Sequence, residues 1–109
     1  MFLFRKYLFY MVNIPTFLLR RFDGHKIEKT MKKIAGQVYF GTDNKQEFKD
    51  ELVYRTLSNY FWTKYNFDIT QLSDDELISM NELIFKIFEP LMNVYYSGLK
   101  KNYPSPKTN

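Results

Sequence analysis

SDDELISMNELIFKIFEPLMNVYYSG, residues 73–98, is the stretch on which the fold turns. Ser73 is followed three residues later by Glu76. This is capping-box spacing: the serine hydroxyl accepts from the third helical amide, and the glutamate reaches back to the serine amide. Asp74, Asp75 and Glu76 also put negative charge at the positive end of the helix dipole. Beyond them, Leu77, Met80, Ile84, Ile87, Leu91 and Val94 form one apolar row at helical spacing, which Leu83, Phe85, Phe88, Met92 and Tyr95 widen. A helix with so little polar face belongs at the centre of a bundle. Pro90 falls inside the pattern, which predicts either a kink or a stop near Phe88 with a restart at Glu89. Gly98 is expected to end the element.

Outward from this segment, Phe48, Leu52, Leu57, Tyr60, Phe61 and Tyr65 share one face of a long helix predicted over 44–65. Thr42 or Asp43 is its expected N-cap, Glu47 lies in its first turn, and the YNFD run at 65–68 breaks it. The core is expected to centre on 77–95 packed against 48–61. Residues 25–35 place Ile27, Met31 and Ile34 on a narrow stripe, with Gly36 as the expected C′ residue. QVYFG at 37–41 reads as a short extended segment. Pro15 is expected to open a short helix, PTFLLRRF, as its first helical residue, with Asp23-Gly24 closing it as a turn. FLFRKYLFYMV at 2–12 is read as a further short helix.

The expected fold class is therefore mainly all-α, a small bundle of about four to five helices. Residues 1–99 are expected to form a single helical domain whose segment 1–35 is basic. Residues 100–109, with Pro104 and Pro106, read as a disordered basic tail.

A chain of 109 residues fits one domain with a modest core. The aromatic share is high: 11 Phe and 9 Tyr against one Trp. Phe, Tyr, Asn, Ile and Lys, all with AT-rich codons, supply 47 residues. That composition is read as codon bias of an AT-rich genome, such as that of a phage, mobile element or organelle. The absence of cysteine excludes a disulfide framework, a thiolate metal site and a cysteine nucleophile. It fits a reducing, intracellular compartment, and no signal-peptide pattern is legible in the first residues. No apolar run reaches the ~18–20 residues that a membrane-spanning helix requires.

Catalytic patterns are not legible. His25 is the only histidine and is read as an exposed residue after a turn. Gly24, Gly36, Gly41 and Gly98 form neither a Walker loop nor a dinucleotide fingerprint. Asp74, Asp75 and Glu76 are read as helix-start acids rather than metal ligands. No cofactor, metal or small-molecule substrate is expected, and the chain is read as a non-enzyme.

Charge asymmetry is the main functional signal. Residues 1–40 carry eight Lys or Arg and two acids, residues 41–99 carry five against ten, and residues 100–109 carry three bases alone. The basic front, including Lys26 and Lys29, is expected to meet something anionic. The candidate contact residues are Arg5, Lys6, Arg20, Arg21, Lys32 and Lys33, with Phe2, Phe4 and Tyr7 as aromatic anchors. Trp62 is read as either packed against the bundle or an interface anchor. The expected function is protein–protein binding, as an accessory subunit of a larger assembly or an inhibitor of a host protein encoded by a phage or mobile element. The alternatives are a nucleic-acid backbone bound by the basic third and peripheral membrane attachment through residues 2–22. Pairing of the basic front with the acidic body of a second copy would give a homodimer.

Overall fold

The computed structural model describes residues 14–104. The expected helix over 2–12, the candidates Phe2, Phe4, Arg5, Lys6 and Tyr7, and residues 105–109 lie outside them. The described part is all-α: α1 (Thr16–Leu19), α2 (Gly24–Phe40), α3 (Lys45–Tyr65), a single 3-10 turn (Ile69–Gln71) and α4 (Asp74–Asn102). Among the described residues there is no strand.

Each of the three long helices starts at a side-chain cap. Asp23 accepts from the Lys26 amide at 3.1 Å and so caps α2. Asn44 accepts from the Glu47 amide at 2.9 Å to cap α3, while Glu47 Oε1 receives the Asp43 amide at 3.0 Å. Ser73 and Glu76 form both halves of the capping box, at 3.2 and 2.8 Å. Asn66 ends α3 in the left-handed conformation at φ 55°, which asparagine tolerates better than most residues.

Several expectations about boundaries are corrected. The segment 37–41 is not extended, because α2 runs on through Gly36 to Phe40. The reason lies in burial: Ile27, Met31, Ala35, Val38 and Tyr39 continue one stripe, so unwinding at Gly36 would pull Val38 and Tyr39 from the core. Gly41, not Gly36, follows the helix. Asp23-Gly24 starts α2 rather than closing α1, and α1 itself ends at Leu19 with Pro15 at its N-cap. Asn44 is the N-cap of α3, in place of Thr42 or Asp43. Thr42 is buried, and its hydroxyl instead donates to the Val38 carbonyl at 3.0 Å. Pro90 sits within one continuous α4, and Gly98 does not end it.

The three long helices pack on one another, with the 3-10 turn against α3. Helix α3 is the shared wall. It buries the pairs Phe48–Lys49, Leu52–Val53, Thr56–Leu57 and Tyr60–Phe61, a stripe wide enough to serve both neighbours. Helix α4 buries Met80, Leu83, Ile84, Phe88, Met92 and Tyr96. Its buried face is thus rotated from the expected row, leaving Val94 65 % exposed. Tyr96 packs on Phe48 and Tyr39, with ring centroids 5.3 and 5.6 Å apart. The Tyr39 hydroxyl donates to the Tyr103 carbonyl, and the Tyr103 ring meets Phe40 at 4.9 Å. These contacts hold residues 100–103 against α2, inside the region read as the start of a tail.

Candidate lysine face

Helix α2 has two faces of opposite character. Ile27 and Met31 face the core. Lys26, Lys29, Lys32 and Lys33 occupy the remaining circumference and are exposed. Helical periodicity forces this separation, because a residue three or four places from an apolar one shares its face and the intervening ones do not. Glu28, the only acid in α2, lies one turn before Lys32, and its charge also acts on Tyr95 of α4, whose hydroxyl pKa is raised first by burial and then by Glu28.

The loop at 41–44 reverses the chain and brings the end of α3 beside the start of α2. Lys64 then joins Lys26, Lys29, Thr30, Lys32 and Lys33 around a surface hollow of about 550 Å³. Five lysines line it, and among the described residues no acidic side chain does. Nothing local in the sequence marks Lys64, because its partners lie more than thirty residues away.

Arg20 and Arg21 do not line this hollow. Arg21 instead ties the short helix α1 to α3. Its Nη1 donates to the Phe17 carbonyl at 2.7 Å, its guanidinium lies 5.5 Å from the Tyr65 ring centroid, and its carbonyl accepts from the Tyr60 hydroxyl at 2.6 Å. Part of what the sequence offers as a contact residue is therefore a structural clamp. Lys32 and Lys33 are the two predicted residues that the fold brings together, and Lys26, Lys29 and Lys64 complete the set. Trp62 is 57 % exposed and stands one turn from the exposed Tyr65, outside the hollow.

His25 is exposed, as read from the sequence. Among the described residues, no group of three or more His, Asp or Glu stands close enough to hold a metal ion. Among the same residues, no helix is long and apolar enough to cross a membrane. No protein-family model, curated protein or solved structure matches this chain.

Proposed function

We propose that this chain is a non-enzymatic binding module, an accessory subunit that docks on an acidic protein surface through its lysine face. One observation carries the reading: Lys26, Lys29, Lys32, Lys33 and Lys64 converge from two helices on a single hollow that no acidic side chain lines among the described residues. Like charges gathered in this way repel one another, and an anionic partner relieves that repulsion on binding. Lysine ammonium groups are point charges on flexible stems, suited to carboxylates spread over a protein surface, whereas bidentate phosphate recognition favours arginine. A single-strand nucleic-acid site combines bases with aromatic stacking platforms. The exposed rings of Trp62 and Tyr65 do not line the hollow, which favours the protein partner.

The test is a titration of the isotope-labelled chain, followed by amide NMR, with a hexaglutamate peptide and in parallel with oligothymidylate. The expected result is saturable shifts at residues 26–33 and 64 with the acidic peptide. Lys29→Glu/Lys33→Glu should weaken that binding by about tenfold or more. Tighter binding of the oligonucleotide, with shifts at the Trp62 indole and a steep salt dependence, would overturn the protein reading in favour of nucleic acid. Absence of shifts with both probes would overturn the site itself.

A further inference from the structure

A second surface lies on the other side of α3, where it meets α4. Helix α3 presents Asp50, Val53 and Tyr54, one turn apart, and α4 presents Asn81, Glu82 and Phe85 at the same spacing. Between them runs a cleft of about 300 Å³, at the lower end of the size that encloses small ligands. Its floor is apolar and aromatic, and its rim carries two carboxylates and, among the described residues, no base. One turn earlier on α4, Ile78 is 54 % exposed and extends the apolar strip.

Two details say what this cleft accepts. The Asn81 Oδ1 atom is buried and receives no hydrogen bond. A buried acceptor left unpaired is costly, so a ligand that brings a donor relieves that cost on binding. The Phe85 ring already acts as a cation platform within the molecule: the Lys49 ammonium lies 5.4 Å from its centroid, held by Glu89 at 3.0 Å and Asn93 at 3.2 Å. Asp50 accepts from the exposed Gln46 side-chain amide at 2.9 Å.

We infer that the cleft is a receptor for an arginine side chain carried on a segment of a partner protein. Guanidinium is planar, stacks on aromatic faces and offers five N–H donors. It would stack between Tyr54 and Phe85 and donate to Asn81 Oδ1 and to the Asp50 and Glu82 carboxylates, with its methylenes on Val53. This site shares no residue with the lysine face, so either can fail alone.

N-acetyl-argininamide and its neutral isostere N-acetyl-citrullinamide serve as probes on the full chain, read by NMR at the Asn81 side-chain amide and the Tyr54 and Phe85 rings. The arginine compound should shift these signals saturably, and the citrulline compound should bind at least about fivefold more weakly, since charge-assisted hydrogen bonds are roughly twice as strong as neutral ones. Asp50→Asn/Glu82→Gln changes two exposed side chains and should raise the Kd by a similar factor. Lys29→Glu/Lys33→Glu should leave it unchanged. Equal binding of both probes, or shifts spread over Asp74 and Asp75 as strongly as over the cleft, would overturn the assignment.

Discussion

Tyr60 shows how much one buried side chain governs at the residue scale. It is fully buried on α3, yet its hydroxyl reaches the Arg21 carbonyl and so pins the turn after α1. Burial raises its pKa well above the ordinary tyrosine value, and the neighbouring Tyr65 adds to the rise. A group whose folded pKa is raised contributes stability that is intact below the unfolded value and is lost as pH climbs toward the folded one. The window therefore opens near pH 10 and extends upward. Tyr60→Phe should cost about 1 kcal/mol at pH 7, the value of a net hydrogen bond. The gap between variant and parent should narrow at pH 11, because the variant has no proton to lose there. Urea denaturation at both pH values checks this, and an unchanged gap would refute the linkage. Tyr39, raised first by burial and then by Tyr96, keeps the variant's own alkaline slope from vanishing. None of this is legible in the sequence, where Tyr60 is one of nine tyrosines.

Elements in this chain persist where local propensity opposes them. Gly36 and Gly98 lie inside α2 and α4, and a Cβ added at either meets nothing within 4 Å. Glycine in a helix interior costs roughly 0.5–1 kcal/mol relative to alanine. Gly36→Ala/Gly98→Ala should thus add about 1–2 kcal/mol in total, which in a domain of this size raises Tm by several degrees. Calorimetry measures it directly, and a fall in Tm would mean that these helices are not continuous there. Pro90 poses the same contrast more sharply: it removes one backbone donor from α4, yet the helix continues to Asn102. Packing on both sides of Pro90 supplies the reason, since Phe88, Met92 and Tyr96 are all buried. Gly36, Pro90 and Gly98 are thus interior positions of these helices, whereas Gly41 does mark an end. The capping box at Ser73 succeeds better, because it is a contact among residues three apart that no distant packing needs to complete.

At the scale of the molecule, a polar tie joins α3 to α4 beside the core. Lys49 is 7 % exposed, and its ammonium is held by Glu89 and Asn93. The pair is unequal, for Glu89 retains contact with solvent. Removing the carboxylate leaves a charge buried, whereas removing the amine leaves one that water can reach. Glu89→Leu should therefore destabilise by about 1–3 kcal/mol, and Lys49→Met by less or not at all. Chemical denaturation of both variants gives the order, and the reverse order would show that the tie itself stabilises. Lys49 lies among Gln46, Glu47, Asp50 and Glu51, a run that reads as a solvated face, so its burial is invisible until α4 is in place. The sequence by itself determined the all-α class, the capping box at Ser73, the long helix that ends near Tyr65, and the basic character of α2. These rest on interactions among residues a turn or two apart. Only the tertiary structure decided that α2 runs through Gly36, which side of α4 is buried, that Arg21 is a clamp, and that Lys64 joins the lysines of α2. Each of these depends on which surfaces of three helices meet, and a single helical pattern specifies a face without specifying its partner.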